Sequence, residues 1–302
     1  MQTESKKAVI AALVANLCIA LFKLAAALLS RSSSMLAESY HSFSDTFNQV
    51  LLLYGLNRSR KPADVDHPFG HGKAQYFWSF VVAMLLFGIA GTLSIREGYH
   101  KIFNPEPIQR IGIAYLALAF GFIFEIYALR IAVRAIKTEK QAEGHASFLE
   151  AVKHSKDPII LTVLIEDSLA LAGLLIAAAA ITTVHFTGLL VVDAIASMVI
   201  GIILMIFALF LAYETKNLLV GESVTSRKRN LLLKAVSSFT EVERVISLKT
   251  MHLGPDEVLV TVEINYNDDI SVGDLEILND RIENRIKEII PNAKVYLEAE
   301  ND

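Results

Sequence analysis

Six apolar segments, each long enough to cross a membrane as a helix, are the feature that most restricts how this chain can fold. They cover residues 8–29, 35–56, 76–95, 111–136, 159–184 and 189–213. A helix of about 20 apolar residues spans the hydrocarbon core, where each backbone polar group needs a partner inside the protein. Because 53% of the 302 residues are hydrophobic, an ordinary soluble protein is excluded. We predict an all-α membrane domain, a six-helix transmembrane bundle, over residues 1–221.

Lysine and arginine residues are concentrated on one side of the predicted bundle. They lie at both of its ends and in the connections after the second and fourth segments: Lys6, Lys7, Arg58, Arg60, Lys61, Lys73, Arg130, Arg134, Lys137, Lys140, Lys153, Lys156, Lys216, Arg227, Lys228 and Arg229. Basic residues are enriched in cytoplasmic loops. We therefore expect a multi-pass protein of the cell (inner) membrane with both termini in the cytoplasm.

Charge and cysteine content exclude other classes of protein. A net charge of −4 gives no sign of nucleic-acid binding. Cys18 is the single cysteine, so neither a disulfide framework nor a cysteine metal cluster is available. The first apolar segment is too long for a signal-peptide core and is expected to stay as a span. Since the sequence shows no nucleophile–base set or nucleotide loop, the protein is not expected to be an enzyme.

The second apolar segment carries a polar stripe. His41 and Asp45 are four residues apart, Glu38 precedes His41 by three and Gln49 follows Asp45 by four, so all four share one helix face. Ionisable groups at membrane depth are costly unless they face a cavity, a partner or an ion. One imidazole and one carboxylate form half of a tetrahedral site for a zinc-like cation. The alternative is a His–Asp pair that only fixes helix packing.

Three further acidic residues lie inside apolar segments. Glu166 and Asp167 are adjacent near the middle of the fifth segment, where two carboxylates repel unless a cation neutralises them or one takes a proton. They either reach a common metal-binding cavity, or one bonds Lys23 or Asn16 while the other is protonated. Glu125 in the fourth segment relays protons, lines the ion path or bonds another helix.

Other polar residues of the membrane domain are expected to have structural roles. We interpret Lys23 and Asn16 as packing residues. The side chain of Lys23 is expected to snorkel towards the nearer surface, and that of Asn16 to hydrogen-bond a neighbouring helix. Asp193 begins the sixth segment, where a carboxylate suits the dipole of its own helix. His145 and His154, in the connection after the fourth segment, are expected to be solvated.

The connection between the second and third segments contains a group of potential metal ligands. Pro62 and Pro68 prevent a regular helix there. Asp64, His67 and His71 provide one carboxylate and two imidazoles within eight residues. These side chains either fold around one ion or form a surface cluster without metal.

After Gly221 the composition changes sharply. The pattern predicts a helix over 223–239, strands over 245–253 and 257–266, a helix over 271–290 and a strand over 293–299. The order αββαβ predicts a small α+β domain over residues 222–302, on the cytoplasmic side. His252 is expected to be a surface residue there.

Together these features resemble the cation diffusion facilitator family of divalent-metal transporters over nearly the whole chain. The resemblance is carried by AESYHSFSD in the second segment, HPFGHGK before the third, the six spans and the αββαβ domain. It implies a homodimer that exports zinc or related ions in exchange for protons, with a metallochaperone-like dimerisation domain. It also implies that His41 and Asp45 supply half of the transport site and the fifth span the rest. Asp64, His67 and His71 match a loop-borne second metal site.

Two departures from the family pattern affect the expected ligands. The family usually repeats His-x-x-x-Asp in the fifth span, but Val163 stands four residues before Asp167, so Glu166 is the natural substitute. Such a Glu-Asp pair resembles a branch that includes mitochondrial zinc transporters and bacterial relatives. An oxygen ligand in place of nitrogen leaves room for manganese or iron beside zinc. Family members that bind metal in the cytoplasmic domain often place histidine on its last strands, where this chain has Thr261, Glu298 and Glu300.

The sequence therefore predicts proton-coupled efflux of divalent metal cations, zinc most strongly. The metal is the substrate, protons are the counter-ion, and no prosthetic group is expected. Membrane lipid surrounds the bundle. The alternative from another class is a membrane metal sensor or scaffold that binds divalent ions without net transport.

Overall fold

The computed structural model describes the backbone of residues 2–143, 158–255 and 257–300. Within the helices, side chains are described for residues 13–14, 16–131, 133–134, 137 and from 164 onwards. His145 and His154, which the sequence places in solvent, lie outside the described residues, and so does the side chain of Val163.

Each of the six apolar segments lies on a helix of the described chain. These helices are α1 (Gln2–Ser30), α2 (Ser33–Ser59), α3 (Ala74–Leu85) with its continuation α4 (Thr92–Phe103), α5 (Ile111–Glu143), α6 (Pro158–Thr187) and α7 (Val191–Val220). A six-residue π-helical turn, Leu86–Gly91, joins α3 to α4. The membrane domain is therefore all-α, as predicted.

Four stretches of the described chain are long and apolar enough to cross a membrane. They are Ala74–Phe103, Ile111–Ile131, Leu164–Thr187 and Val191–Val220. The described apolar part of α1 is shorter, Asn16–Ser30. The polar stripe of α2 lowers its mean hydropathy, and α2 is not one of these four stretches.

The chain divides into two compact units, one of residues 1–50 and 82–210 and the other of residues 51–81 and 211–302. The first unit has a core of small and branched side chains, including Ala26, Met35, Leu86, Ala117 and Leu174. The boundary between domains at residues 221 and 222 stays a prediction.

Glycines allow α4 and the π-helical turn to approach α7 closely. A Cβ atom at Gly201 of α7 would lie 2.8 Å from the carbonyl oxygen of Gly91, and a Cβ at Gly98 would overlap the backbone of Ala194. Small residues of this kind allow tight helix packing in membranes, where apolar surface is not expelled from water.

Asp193 begins α7 as predicted, but its carboxylate binds the start of α2. Oδ2 accepts a hydrogen bond from the Ser33 backbone N–H at 2.5 Å, and Oδ1 accepts from the Ser32 hydroxyl at 2.7 Å and the Ser34 backbone N–H at 3.2 Å. A buried carboxylate thereby satisfies amides that a helix N-terminus leaves without partners. Asp193 therefore lies in the first turn of α7, as the sequence predicts, and also caps the start of α2.

The C-terminal part has the predicted αββαβ order: α8 (Ser226–Val236), β1 (Val242–His252), β2 (Val258–Tyr266), α9 (Val272–Ile289) and β3 (Ala293–Ala299). The sheet has the order β1-β2-β3, with β1 antiparallel and β3 parallel to β2. Residues of β2 alternate between buried and partly exposed, as period-2 patterning requires. Leu232, Val260, Leu278 and Ile282 fill the core between the sheet and the two helices.

Candidate metal transport site

His41 and Asp45 lie together on α2, as their spacing predicts. Nδ1 of His41 is 3.3 Å from Oδ1 of Asp45, and the imidazole is 2% exposed. This contact lacks hydrogen-bond geometry: both ring nitrogens of His41 and Oδ1 of Asp45 are buried without a hydrogen-bond partner. Buried polar atoms in proteins are nearly always paired. Here a nitrogen and an oxygen, both of metal-ligating type, are left with lone pairs free on one helix face.

Glu166 and Asp167 on α6 face the same region. Oε1 of Glu166 accepts a long hydrogen bond, 3.5 Å, from the amide of Asn48 on α2. Oδ2 of Asp167 is buried without a hydrogen-bond partner. The carboxyl of Asp45 is close enough to those of Glu166 and Asp167 to interact electrostatically with both. The two predicted halves of the site are thus on facing helices.

The four predicted transport ligands do not converge on one point in this conformation. Among the described histidine, cysteine and acidic residues, three ligand atoms come within 4.8 Å of one another only at Asp64, His67 and His71. A metal ion bound by all four would need a different arrangement of these side chains.

Asn48 makes a contact between α2 and α6 that the sequence did not predict. It follows Asp45 by three residues, so it shares the polar face of α2. This spacing was the available signal, but helical periodicity alone does not show that an amide of α2 faces α6. Asn16, in contrast, behaves as predicted and donates to Gln49 Oε1 of α2 at 3.0 Å.

Lys23 does not snorkel, and that prediction is wrong. The side chain is completely buried, and its ammonium donates to Ser42 Oγ at 2.8 Å and to Glu38 Oε2 at 3.3 Å. Glu125 Oε1 lies 3.9 Å from the same nitrogen. The physical reason is that Lys23 lies on the buried face of α1, where the carboxylates of Glu38 and Glu125 are within reach of its ammonium. The sequence left three roles open for Glu125. The contact with Lys23 of α1 agrees with the third, a bond to another helix.

Asp64, His67 and His71 form a compact cluster in the loop between α2 and α3. Oδ2 of Asp64 is 2.9 Å from Nε2 of His71, and Oδ1 is 3.2 Å from Nδ1 of His67. The hydrogen bond from His71, followed by the one from the His67 backbone N–H, lowers the pKa of Asp64 to about 2. The carboxylate is therefore ionised and available to a cation across the physiological range.

The backbone of this loop packs against the C-terminal sheet and its turn. A Cβ atom at Gly72 would lie 2.5 Å from the carbonyl oxygen of Leu253, so only glycine fits. Gly70 adopts a φ of 87°, a left-handed conformation that favours glycine. Lys294 of β3 donates to the carbonyl oxygen of Phe69 at 2.9 Å. The two glycines and the lysine hold the ligand-bearing loop in place.

His252 is half-buried at the end of β1 rather than fully exposed. Its Nδ1 has no hydrogen-bond partner. Burial and then the nearby charge of Lys228 lower the pKa of its imidazole. Within the described part of the cytoplasmic domain, neither His252 nor the acidic residues of β2 and β3 belong to a three-ligand group.

Two family models match the chain end to end. The model for the cation efflux transmembrane domain covers residues 9–220, and the model for the cytoplasmic domain of cation efflux proteins covers residues 225–302. The chain belongs to the cation diffusion facilitator family. The family is one of transporters. The match to its transmembrane domain, together with the apolar helices, shows that the protein is a multi-pass membrane protein.

The chain is similar to several proteins that are named for the transport of different metals. The chain is 31% identical over 86% of its length to the proton-coupled zinc antiporter SLC30A9, mitochondrial, of Xenopus laevis. It is 30% identical over 87% of its length to metal tolerance protein C4 of Arabidopsis thaliana. These matches span only 46% and 58% of those relatives. It is 26% identical to the manganese efflux system protein MneP of Bacillus subtilis, over 94% of this chain and 91% of MneP.

Proposed function

We propose that this protein exports divalent metal cations, zinc first, across the cell membrane in exchange for protons. The observation that carries the proposal is a group of buried ligand-type atoms without hydrogen-bond partners on α2 and α6. It includes the ring nitrogens of His41, Oδ1 of Asp45 and Oδ2 of Asp167, besides Oε1 of Glu38. Leaving such groups unpaired at membrane depth is costly, and a divalent cation bound by one nitrogen of His41 and by the two carboxylates would give them a partner.

In the proposed cycle His41, Asp45, Glu166 and Asp167 bind the metal ion from the cytoplasmic side. Metal and protons compete for the same lone pairs, because imidazole and carboxylate ligands must be deprotonated to bind metal. An inward proton gradient then reloads the emptied site and favours the return step. Glu125, within electrostatic range of Asp45 and Asp167, is the candidate proton relay.

The proposed ligand set supports a small range of metals. One imidazole and three carboxylates form a harder site than one with two imidazoles, so manganese and iron are candidate substrates besides zinc. Relatives named as a zinc antiporter and as a manganese efflux protein support the same range. The Glu-Asp pair of the fifth span supports the proposal that the chain belongs to the corresponding branch of the family.

The cytoplasmic domain is proposed to pair two copies into a homodimer with both termini in the cytoplasm. Its match to the family's cytoplasmic domain supports this assembly. Asp64, His67 and His71 are proposed as a second metal site, which their mutual distances support.

Zinc uptake into proteoliposomes tests the proposal against a sensor or scaffold. The protein is reconstituted, and an imposed pH gradient is compared with equal pH on both sides. Accumulation of zinc against its gradient only when the pH gradient is present supports an antiporter. Zinc binding in detergent without flux in liposomes would instead support a sensor.

A further inference from the structure

A buried lysine lies beside the candidate transport site, and no step of the proposed cycle uses it. Lys23 of α1 and Glu38 of α2 are both fully buried and form an ion pair with an Nζ–Oε2 distance of 3.3 Å. Glu38 precedes His41 by three residues, which is about 4.5 Å along the helix axis. Lys23 also donates to Ser42, the residue after His41. The ammonium therefore lies within one helical turn of a predicted metal ligand.

Glycines on α5 and α6 make room for the Lys23–Glu38 pair. A Cβ atom at Gly121 of α5 would lie 2.9 Å from Cε of Lys23, and one at Gly173 of α6 would overlap Oε1 of Glu38. Replacing a buried ion pair by apolar residues of similar volume is often neutral or stabilising. Packing alone therefore does not explain why the space holds a lysine and a glutamate.

Lys23 also has a second carboxylate within reach. Oε1 of Glu125 on α5 is 3.9 Å from its ammonium. Glu125 interacts electrostatically with Asp45, Glu166 and Asp167. The ammonium thus has Glu38, which lies outside the predicted ligand set, as one partner, and Glu125, which interacts with the acidic residues of that set, as the other.

We propose that Lys23 is a built-in counter-cation of the transport site. Glu38 holds it while a divalent ion is bound, and when the ion has left it turns past Glu125 towards the site carboxylates. This inference rests on the proposed function. An ammonium that moved onto the site carboxylates would oppose a divalent ion at short range, where electrostatic interactions inside a protein are strong. Glu38 is therefore a positioning residue, which acts by keeping the competing charge away from the metal.

The loss of zinc affinity caused by Glu38→Gln should largely disappear when Lys23 is also changed. Zinc binding to the full-length protein in detergent is measured by isothermal titration, with Asp64→Asn in every sample to remove the loop site. Glu38→Gln should weaken binding by at least about tenfold, because Lys23 is released onto the site carboxylates. Lys23→Gln should bind zinc as tightly as the parent or more tightly. The double variant should return to within about threefold of the parent.

The opposite pattern would overturn the proposal. Unchanged affinity in Glu38→Gln, or a double variant as weak as Glu38→Gln, would show that the pair acts only through packing. If Glu38→Gln does not fold, as judged by gel filtration and thermal unfolding, Lys23→Gln still decides, since weaker zinc binding in that variant contradicts a competing cation.

A His41→Ala control separates this inference from the proposed function. In one outcome the parent binds zinc, His41→Ala does not, and the Lys23 and Glu38 variants give the opposite pattern described above. Only the role of Lys23 is then wrong, and the transport-site assignment stands. If His41→Ala binds zinc like the parent, the transport-site assignment fails and the role of Lys23 fails with it.

Discussion

Nδ2 of Asn48 lies 3.5 Å from Oε1 of Glu166, which connects α2 and α6 at the level of the candidate transport site. The pair joins the helix that carries His41 and Asp45 to the helix that carries Asp167. In the proposed site, Glu166 exchanges this amide for a metal ion. Its role as a ligand is therefore the most specific part of the site to test.

Glu166→Gln should weaken metal binding and transport by at least about tenfold, or about 1.4 kcal/mol. The amide keeps the shape of the side chain but loses the anionic oxygen that replaces the missing fifth-span imidazole. Isothermal titration gives the affinity, and liposome flux gives the transport rate. Asn48→Ala is the matched control, since it removes the same interhelical contact and leaves the carboxylate in place.

Val163→His in the Glu166→Gln background should recover part of the loss. Imidazole is a softer ligand than carboxylate, so preference should also shift towards zinc over manganese. Competition titrations with the two metals measure this shift. If Glu166→Gln leaves metal affinity unchanged and impairs only proton-driven flux, Glu166 is a relay residue, and the site consists of His41, Asp45, Asp167 and water.

Zinc should bind the transport site more weakly at about pH 6 than at about pH 7.5, because protons occupy imidazole and carboxylate lone pairs as the pH falls. The sign follows from the ligands: metal binds the deprotonated forms and releases protons. Titration at both pH values, in an Asp64→Asn background, measures the effect. Equal affinity at the two pH values would argue against direct competition between metal and proton.

Asp64→Asn should remove one zinc equivalent per chain without abolishing transport. The low pKa of Asp64, about 2, means that its carboxylate is already ionised in any transport assay, so the substitution removes a full negative charge from the loop cluster. Asp66→Asn is the matched control, because Asp66 is an exposed acid of the same loop outside the cluster. The same zinc stoichiometry in both variants would exclude a metal site in the loop.

Asp193→Ala should destabilise the folded protein through the start of α2. The substitution removes the acceptor of the Ser33 and Ser34 backbone amides, and each buried group left without a partner costs about 1–3 kcal/mol. Thermal unfolding in detergent measures the change, with Asp66→Ala as a surface control. A midpoint no lower than that of Asp66→Ala would show that these contacts contribute nothing to stability.

Much of the fold could be predicted because the relevant patterns are local. Hydropathy located all six helical segments. The alternation of apolar and polar residues in 257–266 predicted β2. The spacing of His41 and Asp45 on one helix face also held, since a helix fixes the relation between residues four apart.

The contacts that local patterns could not predict join distant parts of the chain. Asp193 binds Ser32, which is 161 residues away, and Lys23 pairs with Glu38 on a different helix. Both depend on which helices become neighbours, and helical periodicity does not encode that choice. The space for the Lys23–Glu38 pair depends in turn on Gly121 and Gly173, whose role is visible only after the helices are packed.

Simultaneous measurement of zinc and proton flux in the same proteoliposomes tests the central claim most directly. Zinc and pH indicators are followed after a pH gradient is imposed, for the unmodified protein, Asp45→Ala, Asp167→Ala and the control Asp66→Ala. We predict that zinc and protons move in opposite directions in the unmodified protein and in Asp66→Ala. Both fluxes should fall to the level of empty liposomes in Asp45→Ala and Asp167→Ala, although these variants remain folded dimers. Near-normal zinc flux in either of the two, or zinc flux without opposing proton movement in the unmodified protein, would contradict the account.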